Sequence, residues 1–237
     1  MTVALLTAAG VGTRMGQDIP KQFIHVENKP LIIHTLEAFQ RHPGIDAIIV
    51  VTLDSWMEVL RAYAKQFNIS KLRWIVPGGT TGQESIFNGL ACLKKEMDSD
   101  TVVMIHDGNR CLVSDEIISN SLATFARYGD AVAAIPCVEA VFRSNDEGQS
   151  STVCIPREQL FRTQTPHTYT LAKLLWAHEE AGKRKIEGTA ASCVLMQMLG
   201  ETIHFSKGSE TNVKITTVDD MKIFEALLHA TNNNWLK

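Results

Sequence analysis

Short apolar runs of strand length recur along the chain at residues 3–8, 46–52, 72–76, 101–106 and 130–135, with amphipathic stretches between them. Strands alternating with helices predict an α/β domain, a mostly parallel sheet with helices on both faces. Several helix starts are marked by a hydroxyl three residues before a carboxylate, a pattern that satisfies orphan N–H groups at a helix N-terminus. These are Ser55 with Glu58, Thr81 with Glu84, and Thr217 with Asp220. After Thr81, residues Ile86, Leu90, Leu93 and Met97 fall at three- and four-residue steps, which turns one apolar stripe toward the sheet. Ser114 opens a further helix with Asp115 and Glu116 in its first turn, and Gly129 lies just past its end.

Residues 138–158 break this rhythm. Two short β-prone runs flank the polar turn "SNDEGQSS", which predicts a protruding β-arm. A hairpin cannot bury both of its faces alone, so the arm is expected to be a dimerisation element, a disordered surface loop being the alternative. The tail "NNNWLK" is expected to fray.

A length of 237 residues suits one domain, 1–237, which buries roughly 70 to 75% of its unfolded surface. The net charge of -3 gives no general attraction to nucleic acid or to an acidic membrane. No apolar run approaches the roughly 20 residues of a membrane span, and the N-terminus opens directly on a strand, so a cytoplasmic protein is expected. The 5 cysteines are widely spaced without a CxxC pair, which indicates neither a zinc site nor a disulfide framework.

In open α/β sheets ligands gather at the carboxyl ends of strands. The first such place is "LLTAAGVGTRMGQDIPKQF", residues 5–23. It is not a Walker A loop, because no hydroxyl follows Lys21. A dinucleotide fingerprint is disfavoured: its third glycine, Gly16, comes one residue late, Pro20 would cut the helix, and Asp54 lies too far on. What remains is a loop carrying Arg14 and Lys21, able to close over a polyphosphate. The second place is "PGGTTGQES", either a plain capped turn or a helix N-terminus receiving an anion or a nucleobase edge. The third is "VVMIHDGNR", where Asp107 either holds Mg²⁺ against phosphates or pairs with Arg110. In "SETNVKITTVDD", Lys214 sits in a short alternating run with Val213 and Ile215 on the opposite side, facing solvent or a cleft.

Taken in order, "AAGVGTRM....PKQF", "HDGNR", "REQLFRTQTPH" and "NVKITTVDD" resemble the signature segments of the CTP-dependent cytidylyltransferases that act on methylerythritol 4-phosphate or ribitol 5-phosphate. The resemblance implies a Rossmann-like nucleotidyltransferase fold, a homodimer formed through the arm, and transfer of CMP from CTP to a polyol phosphate with release of pyrophosphate. It places Ala8, Ala9, Gly10 and Gly12 around the nucleotide, with Arg14 and Lys21 on its phosphates and Gly79 and Ser85 at the cytidine. It assigns Mg²⁺ to Asp107, and it turns Arg157, Thr165 and Lys214 toward the polyol phosphate and the reacting centre.

The chain departs from the family pattern at several positions. Gly82 stands where members usually carry arginine, Cys111 where they carry proline, and Thr211 where a second metal-binding aspartate is usual. Ala140 replaces a threonine of the arm, and Thr189 with Ala190 replaces a TD pair. "LIIHTLEAF", Trp56 and "SIFNGL" are closer to the ribitol-phosphate branch. The methylerythritol enzyme of isoprenoid biosynthesis and a nucleotide-binding relative of low activity remain as alternatives.

Overall fold

A computed structural model describes residues 1–10, 19–189 and 191–232, so Gly12, Arg14 and Ala190 lie outside the described residues. The chain runs β1 (Thr2–Ala8), β2 (His25–Val26), β3 (Lys29–Pro30), α1 (Leu31–Arg41), β4 (Ala47–Thr52), α2 (Met57–Gln66), β5 (Leu72–Pro77) and α3 (Gly82–Glu96). It continues through β6 (Val102–Asp107), α4 (Asp115–Tyr128), β7 (Ala131–Pro136), β8 (Val141–Arg143), β9 (Val153–Ile155) and β10 (Phe161–Thr170). α5 (Leu171–Arg184), α6 (Ser192–Met198), β11 (Phe205–Lys207) and α7 (Val218–Asn232) complete it.

Seven strands form the main sheet in the order β11-β7-β10-β6-β1-β4-β5. β1 pairs in parallel with β4 and β6, β4 with β5, and β7 with β11, whereas β10 is antiparallel to both β6 and β7. Alternation along each strand divides the core. Ala4 and Leu6 of β1 face α1, α2 and α4 together with Ile48, Val50 and Met104. Val3 and Leu5 face α3, α5 and α6 together with Ile49, Val51 and Val103. Because both faces are covered, these strands read as continuous apolar runs, which is why the five runs are visible in the sequence.

The helix starts are realised unevenly. Thr81 accepts from the Glu84 N–H at 3.0 Å, Ser114 from Ile117 at 3.3 Å, and Thr217 from Asp220 at 3.2 Å. Gly129 takes the left-handed conformation past α4 at φ 84°. Ser55 does not cap its helix: residues 54–56 form a 3₁₀ turn and α2 begins after Trp56, which stacks on Phe23 with ring centroids 4.5 Å apart. The alternating run around Lys214 is not a strand. It is irregular backbone tied to the turn after β6 by the Ile215 N–H on the Asn109 carbonyl, 2.9 Å. The apolar pattern does not announce β10, since its residues are largely polar and include Pro166.

The arm is a two-stranded hairpin, β8 with β9, outside the main sheet. Its turn closes on Asp146, whose carboxylate accepts from the Ser144 and Ser150 hydroxyls and is held well below the usual carboxylate range by those bonds. Val138 and Phe142 are exposed, Phe142 at 58%. No described helix is long and apolar enough to cross a membrane.

Candidate active site

The carboxyl ends of β1 and β6 and the middle of β10 open into one cleft of about 640 Å³. Because β10 runs opposite to β6, its interior rather than its end meets the residues that leave the parallel strands. Ala8, Ala9, Gly10 and Lys21 line one part of the cleft, Gly79 to Gln83 another, and Asp107, Arg110, Thr165 and Lys214 a third.

The Ala8 carbonyl is fixed by two donors, the buried Gln22 amide and the Thr52 hydroxyl at 3.3 Å, so the chain leaves β1 along one path. Gly78 brings the second loop against that exit: a Cβ there would stand 2.3 Å from the Ala9 Cβ, a distance no side chain tolerates. Within that loop, hydrogen bonds are closed internally. The Gly78 N–H donates to the Thr52 carbonyl (2.7 Å), the Gly79 N–H to Ser85 Oγ (3.0 Å) and the Thr80 N–H to the Glu84 carboxylate (2.7 Å). Ser85 in turn donates to the Thr81 carbonyl at 2.9 Å. The loop's first N–H donors are therefore spent, which matches the plain capped turn, one of the two readings the sequence allows for this stretch. The Gly79 and Thr80 carbonyls keep their lone pairs among the described residues.

At the floor, Asp107 Oδ1 accepts from Lys214 Nζ at 2.9 Å and Oδ2 from Arg110 Nε at 3.0 Å. Burial alone would raise this carboxyl, but Lys214 and Arg110 outweigh it and hold it at about 2. The ion pair with Arg110 considered from sequence is thus present, and Lys214, still partly exposed, joins it. Arg110 also donates to the Asn212 carbonyl at 2.6 Å, and Asn212 donates to the Thr165 carbonyl at 2.9 Å.

Thr165 Oγ1 accepts from the Asp107 N–H at 3.0 Å and lies 3.0 Å from His106 Nδ1. Since His106 Nε2 meets the Arg110 carbonyl at 3.2 Å, the network assigns the proton to Nε2 and leaves Nδ1 to accept from Thr165. The Thr165 hydroxyl is therefore committed to this chain of bonds, and its contribution to the cleft is its position rather than a free donor. Arg157 is not brought to this group. It sits on an exposed 3₁₀ turn at the base of the arm, paired with Glu158 and donating to the Val138 carbonyl at 3.2 Å, because the hairpin carries it away from the sheet.

Sequence reasoning assigns no role to Gln22, His106, Asn109 or Asn212, the buried polar groups that fix the floor and walls. "HDGNR" and "NVKIT" contain three of them, and a neutral side chain ending a buried strand or turn is the signal that points to such a brace. Among the described residues no group of three or more His, Cys, Asp or Glu side chains converges on a metal position.

The whole chain has known relatives. A model of the family described as IspD, 2-C-methyl-D-erythritol 4-phosphate cytidylyltransferase, matches residues 2–230. A ribitol-5-phosphate cytidylyltransferase of Lacticaseibacillus paracasei is 39% identical over 230 residues, 96% of this chain and 98% of the relative. A 2-C-methyl-D-erythritol 4-phosphate cytidylyltransferase of Clostridium botulinum is 36% identical over 225 residues, 94% of this chain and 96% of the relative. The solved structure of 2-C-methyl-D-erythritol 4-phosphate cytidylyltransferase from Thermus thermophilus matches with a TM-score of 0.77 at 27% identity, covering 97% of this chain and 100% of that one. A 4-diphosphocytidyl-2C-methyl-D-erythritol synthase from Anaerococcus prevotii has the same fold, with a TM-score of 0.80 at 24% identity over 96% of this chain and 98% of that one. Nearly the full length is matched in sequence and the fold is matched in space, and on these grounds the chain belongs to the IspD cytidylyltransferase family.

Proposed function

We propose that the protein transfers CMP from CTP to ribitol 5-phosphate, giving CDP-ribitol and pyrophosphate. The observation that carries this reading is the cluster of Arg110 and Lys214 around Asp107 at the floor of a cleft walled by two glycine-bearing loops. The preference for ribitol 5-phosphate over methylerythritol 4-phosphate rests on the relatives of that name at 39% identity. Pyrophosphate release with CTP and a panel of polyol phosphates tests both: a faster rate with methylerythritol 4-phosphate would move the enzyme to the other branch.

In this reaction an oxygen of the acceptor phosphate forms a bond to the α-phosphorus of CTP, and the bond from that phosphorus to the bridging oxygen breaks. Pyrophosphate leaves with the electron pair. The acceptor phosphate is already largely ionised near pH 7, so no protein base is required. What the protein must supply is positioning and positive charge where charge accumulates. In this reading Lys21, after the first loop, and Lys214 with Arg110 at the floor supply that charge. Thr165, held by His106 and the Asp107 N–H, sets the height of the floor. Arg14 completes the phosphate set in this reading.

Mg²⁺ fits as an ion carried by the nucleotide, since such an ion is commonly held by one or two carboxylates, substrate phosphates and water. Asp107 would hold it, and when bound it supplies charge neutralisation on the phosphates. We further propose that the enzyme is a homodimer of the cytoplasm. The five free cysteines suit a reducing compartment, and the exposed Val138 and Phe142 suit a covered arm.

Two expected outcomes follow from these assignments. With the best acceptor, CTP should support faster pyrophosphate release than UTP, ATP or GTP. The Gly79 and Thr80 carbonyls can accept from the cytosine amino group, which uracil lacks. Equal rates with UTP would remove the carbonyls as the reading element. In sedimentation at micromolar concentration the protein should run as a dimer, and deleting residues 141–155 should give a monomer. A dimer that survives the deletion would place the interface elsewhere.

A further inference from the structure

Beyond the floor, the cleft has a second polar wall, where Gln83 at the start of α3 meets Thr189. Gln83 Oε1 accepts from the Thr189 N–H at 3.1 Å and from the Thr189 hydroxyl at 3.0 Å, while Gln83 Nε2 donates to the Ile186 carbonyl at 3.0 Å. The amide orientation is fixed by these partners, since a backbone N–H must be accepted and a carbonyl must be donated to. One side chain thereby clamps the segment after α5 onto α3, more than 100 residues away in sequence (separations of 106 and 103).

The clamp has a chemical consequence. With its proton committed to Gln83, the Thr189 hydroxyl presents only lone pairs to the cleft. An ionised phosphate is also acceptor-only, so it gains nothing there, whereas a hydroxyl group can donate. The floor, with Lys214 and Arg110, has the reverse preference. We infer that Gln83 is a positioning residue which, by fixing Thr189 as a hydrogen-bond acceptor, makes this wall the reader of the acceptor's hydroxyl groups and orients its phosphate toward Lys214 and Arg110.

This rests on the polyol phosphate reading above. It assigns substrate orientation to a residue that touches no reacting atom. A site built to hydrogen-bond a hydroxyl rejects the analogue lacking it, because its own polar group is then left unpaired.

The test is steady-state kinetics with ribitol 5-phosphate and its mono-deoxy analogues on the full chain and on Gln83→Ala, Thr189→Val and Thr189→Ser. For the parent, at least one mono-deoxy analogue should show a KM raised about tenfold or more, the equivalent of one hydrogen bond. Gln83→Ala and Thr189→Val should raise KM for ribitol 5-phosphate by a similar factor, leave KM for CTP within about twofold, and abolish the discrimination against that analogue. Thr189→Ser, which keeps the hydroxyl, should retain it. Circular dichroism confirms that each variant is folded, and Thr189→Ser keeps the test decisive should Gln83→Ala fail to fold. Unchanged discrimination in Gln83→Ala or Thr189→Val, or an equal rise in KM for CTP, overturns the assignment while the parent's turnover still supports the reaction. No turnover or binding of any polyol phosphate by the parent overturns both.

Discussion

Replacing Lys214 by alanine should slow pyrophosphate release from CTP by roughly a hundredfold or more while the melting temperature stays near that of the parent. The ammonium stands 2.9 Å from Asp107 at the cleft floor yet is 44% exposed, so it carries no core packing, and Arg110 remains to neutralise Asp107 when it is gone. A fixed cation aimed at charge that develops in the transition state contributes on the order of 3 kcal/mol to the barrier, far more than an exposed ion pair contributes to folding. Lys21→Ala should behave in the same way from the other side of the cleft. Arginine at either position should not restore the full rate, because a planar fork delivers its charge differently from a compact ammonium. Turnover within about threefold of the parent in both alanine variants, well under 1 kcal/mol, would move the reacting centre away from these lysines.

Acidification should destabilise the fold steeply between about pH 6.5 and pH 4. His106 and His167 are buried at 0% and 2% exposure, and burial pushes both imidazoles down to about 4. Above 6.5 neither the folded nor the unfolded chain holds these protons, so the two groups leave stability unchanged there. Below it the unfolded chain takes up protons that the folded one refuses, and each group lowers stability by about 1.4 kcal/mol per pH unit until its folded pKa is reached. Two such groups remove about 5 kcal/mol by pH 4.5, comparable to the whole stability of many domains. Asp107 works in a different window: its carboxyl is depressed to about 2, so its contribution is intact above about pH 4 and is lost as pH falls toward 2. Urea denaturation at pH 7.5, 6.0 and 5.0 measures the first window. A flat stability across those three values would mean that the imidazoles are solvated or ionised in the fold.

The sequence exposes those parts of the molecule whose physics is periodic. β1, β4, β6 and β7 lie inside the sheet and therefore appear as apolar runs, β5 at the sheet edge still shows one although Arg73 interrupts it, and the Ser114 and Gly129 ends of α4 are local chemistry that needs no distant partner. β10 is invisible because its buried residues Gln164 to Tyr169 include two polar threonines, a glutamine and a histidine, satisfied by partners far along the chain. The same holds in the site. Asp107, Lys21 and Lys214 are legible as charges within signature segments. Their supports, Gln22, His106 and Asn212, are not, because an amide or a neutral imidazole gives no hint of its partner until folding supplies one. The strand expected around Lys214 fails for the opposite reason: Val213 and Ile215 alternate by chance in backbone that follows the turn after β6.

The antiparallel insertion of β10 has a consequence for how the molecule comes into being. Translation delivers β1, β4, β5 and β6 first, and domains tend to gain structure from the N-terminal side during synthesis. A nascent chain that has reached the end of β6 owns both glycine loops and Asp107, but the strand that seats Thr165 against Asp107 emerges more than 50 residues later, and Lys214 is separated from Asp107 by 107 positions. Until that last third has docked, Asp107 lies open at the sheet's unfinished edge with Arg110 alone beside it. A polypeptide that stops short of β10 and Lys214 therefore owns the loops of the cleft without its assembled floor, so the last third of the chain is what turns a half-built sheet edge into a closed site.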